Sequence, residues 1–255
     1  MTADLTIAVL TVNRPSAVRH CLYRVFDSVE MDFECIVIDS TQEDALKTDY
    51  DDWDVGVVRP GWMASPAGAQ KLAVDACSTK YLLPLADDMA PAPGTVERLY
   101  EHVAVGEADI ATGVTVDPDG ARPVGRFYYK AEIGLKKTMG KLPIRSSHPV
   151  RVHEGETLCA AACAFEDVSF DPEYAFHYDM WDFYLSCLRE GLVVLADPDA
   201  TFEHSNWDYA APTLRDMEDK AEAASRFFDK WGWWPKPVVD GLPDEFSIVE
   251  PGDLE

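Results

Sequence analysis

The amino-acid sequence predicts an α/β fold, a central, mostly parallel sheet flanked by helices. Three observations carry that reading. Apolar, β-branched runs alternate with stretches of helical periodicity from Leu5 to Met89. Each run breaks into a polar loop, as parallel strands joined by crossover helices do. Hydrophobic residues make up 47% of the 255 positions, so a full core can form and wholesale disorder is excluded.

The elements follow in order. Leu5 to Val12 is a β-branched apolar run and reads as a central parallel strand. The chain then breaks at Asn13-Arg14-Pro15-Ser16, where Pro15 is tolerated in a loop or a first helical turn. From Ser16 to Val29, the residues Val18, Cys21, Leu22, Val25 and Phe26 recur at helical spacing. Phe33 to Ile38 is a second buried strand ending in Asp39-Ser40-Thr41, and residues 42 to 54 read as a polar surface loop or short helix. Val55 to Val58 is a short third strand, Gly61 to Gly68 a flexible loop, and Pro66 to Ser78 a helix. Tyr81 to Ala86 is a fourth strand. Pro84 inside it lacks an N–H and argues for a sheet edge or a bulge.

Gly94 to Val105 reads as a helix, Ala108 to Val116 as a strand, and Asp117-Pro118-Asp119-Gly120 as a turn. Residues 121 to 152 hold Arg122, Arg126, Lys130, Lys136, Lys137, Lys141, Arg145 and Arg151. These suit either an anionic acceptor or ion pairs with local acids. Leu158 to Phe165 is a buried strand or packed turn, and a helix opening at His177 runs to Glu190 before Gly191. Leu192 to Ala196 is a strand, Asp197-Pro198-Asp199 a turn, and Thr201 to Ser205 a further extended run. Thr213 to Trp231 is a helix. The tryptophans Trp231, Trp233 and Trp234 cap the core or lie at a membrane interface, and the last dozen residues read as an acidic, mobile tail.

Composition narrows the function. There are 22 Lys and Arg against 46 Asp and Glu, a formal net charge of −24. Such a surface repels nucleic acid and argues against a DNA or RNA partner. The acid is dispersed, with few lysines, which is a halophilic and haloarchaeal style of surface. An ordinary acidic cytosolic protein is the alternative. The six cysteines include no Cys-x-x-Cys pair, so buried reduced thiols are expected rather than zinc. No signal peptide and no apolar run of transmembrane length is expected, which points to a cytoplasmic protein. The first strand is followed by neither Gly-x-Gly-x-x-Gly nor a Walker A sequence, which disfavours dinucleotide-binding and P-loop enzymes.

The chemistry-bearing pattern is Asp87-Asp88 at the end of the fourth strand. Ligands of open α/β sheets sit beyond the carboxyl ends of the strands, where two acids can hold a divalent cation and the cation a phosphate. An acidic turn is the competing reading. Asp179 and Asp182, three apart, share one helix face near its N-terminus, where the dipole favours carboxylates in any case. A lone histidine such as His204 is more often structural.

Taken in order, Thr11-Val12-Asn13-Arg14-Pro15, Asp39-Ser40-Thr41, Ala86-Asp87-Asp88, Phe170-Asp171-Pro172, Tyr178 to Leu185 and His204 resemble the family 2 glycosyltransferases, over residues 5 to 207. The resemblance implies a GT-A fold. It divides the chain into one domain over residues 1–212, with a nucleotide-sugar-binding half at 1–89 and an acceptor-binding half at 90–212. The C-terminal helix and acidic tail occupy 213–255. It implies that Thr11, Asn13 and Arg14 lie by the nucleoside, that Asp39 bonds the base, and that Asp87 sits beside the diphosphate. It implies Asp88 and His204 as ligands of Mn²⁺ or Mg²⁺, and Asp182, or else Asp179, as the catalytic base. Ala86 replaces the family's first acid, and Gln70-Lys71 replaces its usual Arg-Asn pair.

The implied activity is metal-dependent, inverting transfer from a UDP- or GDP-sugar to a hydroxyl of a glycan or lipid-linked acceptor. Peripheral contact with the inner face of the membrane goes with such an acceptor. A non-catalytic nucleotide-sugar or glycan-binding protein on the same scaffold is the alternative. A sugar nucleotidyltransferase ranks lower, because Thr11 to Pro15 contains no glycine.

Overall fold

A computed structural model describes residues 3–41, 49–62, 64–117, 120–121, 123–133, 136–155, 157–174, 177–204, 214–235, 243 and 245–254, and within these not the side chains of 117, 120, 121, 133 and 214–218. Expectations for residues 42–48, Pro118-Asp119, Arg122, Ser205 and Thr213 lie outside the described residues.

The first half alternates strand and helix: β1 (Leu5–Thr11), α1 (Pro15–Ser28), β2 (Phe33–Asp39), β3 (Gly56–Val58), α2 (Pro66–Ala76) and β4 (Tyr81–Ala86). Then come β5 (Met89–Pro91), α3 (Thr95–Ala104), β6 (Ile110–Asp117), β7 (Gly120–Ala121), β8 (Gly125–Ile133) and β9 (Lys136–Ile144). They are followed by β10 (Val150–Val152), β11 (Cys159–Ala161), α4 (Ala164–Asp167), α5 (Asp179–Arg189) and β12 (Val194–His204). The chain closes with α6 (Leu214–Trp231), β13 (Trp234–Pro235) and β14 (Ser247–Ile248).

Among the described residues, the main sheet runs β10-β12-β6-β11-β4-β1-β2-β3, with β5 paired to β12 and β7 to β6. Strands β4, β1, β2 and β3 are mutually parallel, and β12 is parallel to β6. Strand β11 is the antiparallel insertion between β4 and β6. The chain therefore has the predicted α/β architecture, a mostly parallel sheet between layers of helix.

Side-chain alternation on β1 explains the layering. Leu5, Ile7 and Val9 point into a core with Val18, Leu22 and Val25 of α1 and Leu99 of α3. Ala8 faces the other layer, where Ala67 and Ala73 of α2, Phe183 of α5 and Phe227 of α6 are buried. Helix α2 begins as its sequence dictates: Ser65 Oγ accepts the Gly68 N–H at 3.1 Å, and Pro66 occupies the first turn, where a missing N–H costs no helical bond. Four cysteines are buried and Cys163 is exposed, all as free thiols. Burial pushes the Cys35 and Cys159 thiols up to about 12.

Three expectations are corrected. Pro84 is central, not at an edge: it stands opposite Ala8 of β1, with β11 on the other side of β4. The β11 ladder covers only Tyr81 and Leu82, so no β11 bond is needed from the proline nitrogen. The Asp197-Pro198-Asp199 turn is a bulge within one long strand, β12. Ala196 pairs with Thr112 and Thr201 with Val114, so residues 197–200 stand opposite Gly113 alone. A Cβ on Gly113 would meet the Ala200 carbonyl oxygen at 2.4 Å, which is why the position is glycine. The C-terminal segment is packed: Ser247–Ile248 pairs with β8, and Val249 and Leu254 are buried.

The basic stretch forms a hairpin, β8–β9, within a second sheet of order β13-β9-β8-β14. Arg126 and Lys141 pair with the buried Glu154, and Lys130 with Asp253. Ion pairing thus accounts for three of the cations, Lys130 through an acid of the C-terminal segment. Trp231 is buried in the core, while Trp234 stacks on Phe228 at 4.6 Å.

The β12 bulge carries its own charge cluster. Buried Asp197 is 2.9 Å from His102 Nε2, and His102 Nδ1 is 2.7 Å from Glu107. Burial opposes the charge on His102, but the bonds to Asp197 and Glu107 outweigh it and raise the pKa above the ordinary 6.5. A raised native pKa stabilises the fold fully below the unfolded value and loses that contribution as pH climbs through the native value. His102→Ala is expected to cost about 1.5–3 kcal/mol at about pH 5.5 and clearly less at about pH 9, read from urea unfolding at both pH values.

Candidate active site

The site is built where β1, β2 and β4 end at one level. Thr11 stands opposite Asp39, and Leu10 opposite Ala86. Two loop bonds hold the ends together: the Asp87 N–H donates to Leu10 O at 3.1 Å, and the Ser40 N–H to Thr11 O at 3.0 Å. Asn13 turns the chain from β1 to α1 with φ 52°, a left-handed conformation that asparagine tolerates. Its N–H donates to Thr41 Oγ1 at 3.0 Å. This turn brings Arg14, the residue before α1, back over the end of β4.

Arg14 bridges the two acids, with Nη1 3.2 Å from Asp87 Oδ1 and Nη2 2.9 Å from Asp88 Oδ2. The Thr11 hydroxyl donates to Asp87 Oδ2 at 2.6 Å. Burial drives the Asp87 pKa up to about 6, against the bond from Thr11 and the charge of Arg14, which pull it down. His204 arrives through pairing of β5 with β12, which sets His204 opposite Met89. Its Nε2 lies 3.9 Å from Asp88 Oδ2.

The structure thus brings Thr11, Arg14, Asp87, Asp88 and His204 together. Asp39 lies next to this group but is engaged elsewhere. Its Oδ2 accepts from Tyr50 Oη at 3.1 Å and Arg59 Nε at 3.2 Å, and its Oδ1 from the Thr41 N–H at 3.1 Å. Tyr50 and Arg59 escaped the sequence reading, since neither falls in a motif. The site lies open at Ala86, whose side chain is exposed.

Helix α5 supplies two more carboxylates in different settings. Asp179 lies in its first turn, behind Tyr178, which caps the helix with φ 64°. No side chain among the described residues hydrogen-bonds the Asp179 carboxylate. Burial raises its pKa, while backbone N–H bonds and the charges of Lys141 and His177 act against the rise. Met180, beside it, accepts a weak bond from Gln70 Nε2 at 3.4 Å. Asp182 faces α6 instead. It is fully buried, with Lys230 Nζ 2.8 Å from its carboxylate oxygens and Trp231 Nε1 donating to Oδ1 at 2.9 Å. Lys230 and Trp231 lie far along the chain, and no local signal in the sequence pairs them with Asp182.

The donor chemistry of Asp88 and His204 fits a small divalent cation, which takes one or two protein ligands and fills its shell from phosphate and water. Among the described residues, no group of three or more His, Cys, Asp or Glu side chains is placed to hold a metal.

Comparison with known proteins agrees with the fold. Residues 6–155 match the family described as Glycosyl transferase family 2. The crystal structure of GalNAc-T7 with UDP, GalNAc and Mn²⁺ superposes with a TM-score of 0.65 at 14% identity, covering 90% of this chain and 48% of that one. The structure of S. aureus TarS 1-349 superposes with a TM-score of 0.56 at 15% identity, covering 90% of this chain and 72% of that one. The chain therefore spans about half the length of the GalNAc-T7 chain. No curated protein sequence matches significantly. No helix among the described residues is long and apolar enough to cross a membrane. With more than half of its residues matched to the family and an α/β sheet like that of the GT-A glycosyltransferases, the chain belongs to glycosyl transferase family 2.

Proposed function

We propose that the protein is an inverting glycosyltransferase that moves a sugar from a nucleotide-sugar donor to a hydroxyl acceptor. The carrying observation is the convergence of Arg14, Asp87, Asp88 and His204 at the strand ends, together with a buried carboxylate, Asp179, to which no side chain among the described residues hydrogen-bonds. Family membership supports glycosyl transfer. The GalNAc-T7 structure contains UDP, GalNAc and Mn²⁺, which supports a UDP-sugar donor here, with a GDP-sugar as the alternative.

Asp88 and His204 are the residues that would hold Mn²⁺ or Mg²⁺, and the cation would neutralise the charge of the leaving diphosphate. The acceptor oxygen attacks the anomeric carbon, the bond from that carbon to the phosphate oxygen breaks, and the nucleoside diphosphate departs with the bonding pair. The acceptor's proton passes to Asp179. A carboxylate serves better as a base when burial raises its pKa, and that is the direction at Asp179. Asp182, held by Lys230 and Trp231, is assigned a structural role: it anchors α6 to α5. The acceptor is a glycan or lipid-linked intermediate met by the half that begins at residue 90. The acidic surface suits a halophilic cytoplasm, with peripheral membrane contact through the acceptor.

Three variants test this. Asp88→Ala is expected to abolish the Mn²⁺-dependent thermal stabilisation by UDP or GDP, which in the parent is about 2.7 kcal/mol at a hundred times the Kd. Asp179→Asn is expected to lower kcat roughly 10²- to 10⁴-fold while leaving nucleotide affinity intact. Lys230→Met strands the buried Asp182 carboxylate and is expected to cost about 2 kcal/mol in urea unfolding. That is less than a fully buried pair would cost, because Lys230 is one-third exposed. Full turnover in Asp179→Asn would remove that residue as the base.

A further inference from the structure

The second sheet carries an open groove of about 440 Å³ that shares no residue with the strand-end site. Sheet register assembles it. Glu132 of β8 stands opposite Lys137 of β9, and Lys137 Nζ lies 5.5 Å from the centre of the Trp233 ring. On the other flank, Ser247 of β14 stands opposite Lys130 of β8. Glu245 and Phe246 lead into β14 and border the groove there. The Phe246 ring is 41% exposed, yet it is held in place: Tyr129 meets it edge-on, with 5.5 Å between ring centres. Two aromatic rings, two carboxylates and a hydroxyl thus face one open space.

The charges select against an ionic ligand. Lys130 is taken up by Asp253, so an anion would meet Glu132 and Glu245 without a free ammonium to offset them. A cation would meet Lys137 opposite Glu132. A purely apolar chain would strip water from two carboxylates. Neither Glu132 nor Glu245 takes a hydrogen bond or ion pair from another described residue, so their oxygens are left for a ligand. A neutral molecule rich in hydroxyls fits this set, because each hydroxyl both donates and accepts. A pyranose also has an apolar face of C–H bonds, whose slightly positive hydrogens lie well against the negative face of an aromatic ring. Phe246 offers such a face, already fixed by Tyr129, so little ordering is left to be done on binding. The volume falls within the roughly 300–1,000 Å³ of small-molecule sites.

We propose that this groove is a non-catalytic binding site for a neutral saccharide, with Phe246 and Trp233 as its stacking walls and Glu132, Glu245 and Ser247 as partners of the hydroxyls. The assignment stands apart from the nucleotide-sugar reading, since it uses a different sheet and asks only for binding. Where both hold, the chain grips a glycan in one place and acts on it in another, and the tethered glycan reaches the strand-end site at a raised effective concentration.

The test is calorimetric titration of the full chain, without nucleotide or metal. The probes are chitotetraose, maltotetraose, cellotetraose and mannotetraose, with a hyaluronan tetrasaccharide as the anionic control. The parent is expected to bind at least one neutral probe with a millimolar or tighter Kd and to ignore hyaluronan. Phe246→Ala and Trp233→Ala are expected to weaken that binding about tenfold, while Phe246→Tyr and Trp233→Phe keep most of it. Glu245→Ala, at an exposed position that packs against nothing, is expected to weaken it about threefold with an unchanged urea midpoint. Asp88→Ala is expected to bind as the parent does. Parental affinity in both Phe246→Ala and Glu245→Ala would overturn the assignment, as would a parent that prefers hyaluronan or binds no neutral probe at millimolar concentration. Binding lost in Asp88→Ala but kept in the groove variants would move the glycan to the strand-end site and overturn it too. A parent that binds a glycan here but neither UDP nor GDP in Mn²⁺ would overturn the donor-site reading alone and leave this site standing.

Discussion

Two adjacent carboxylates buried at the end of a parallel strand are the constraint around which this molecule is arranged. Asp87 and Asp88 are 3% and 6% exposed. Burial disfavours their charged forms, so neighbours must supply compensation. Arg14 provides positive charge to both, Thr11 a hydroxyl to one, and His204 an imidazole near the other. Thr11 and Arg14 come from the end of β1 and the turn after it, His204 from the end of β12. The left-handed turn at Asn13 returns Arg14 to the acids, and the pairing of β5 with β12 delivers His204. The parallel register of β1 with β4 sets the common level.

A further buried carboxylate, Glu154, organises the β8–β9 hairpin. Glu154 accepts from Tyr128 Oη at 2.5 Å and pairs with Arg126 and Lys141. Lys141 Nζ also lies 4.3 Å from the centre of the Trp181 ring, on α5. The hairpin β8–β9 is thereby tied to the helix that carries Asp179. A cation introduced to satisfy Glu154 also contributes to the field at Asp179. Packing of the accessory sheet and the electrostatics around Asp179 are one network.

The parallel half is legible in the sequence because its rules are local. Apolar runs make β1, β2 and β4, and Ser65-Pro66 announces α2. What escapes is non-local. The hairpin strands mix lysines with aromatics and read as a basic surface until β13 and β14 are placed beside them. Pro84 signals an edge by composition, yet the short reach of β11 lets it sit in the middle. Thr11, Arg14, Asp87, Asp88 and His204 lie in the pieces that carry the resemblance, whereas Tyr50 and Arg59 do not, and motif says nothing of direction. Asp179 and Asp182, equivalent in a helical projection, diverge because α6 brings Lys230 to one of them. The groove on the second sheet shows only when register sets Glu132 opposite Lys137 and brings Trp233 to Lys137.

The bulge in β12 separates the length of the strand from its register. Phe202 is paired on both sides, with Thr115 of β6 and Pro91 of β5, and these ladders fix the face that each later residue presents. Gain or loss of one residue within 197–200, with that pairing kept, would change the excursion at Asp197 and leave His204 opposite Met89 and beside Asp88. Length variation in this segment therefore falls on the His102 cluster, while the end of β12 that serves the site stays in step with the sheet.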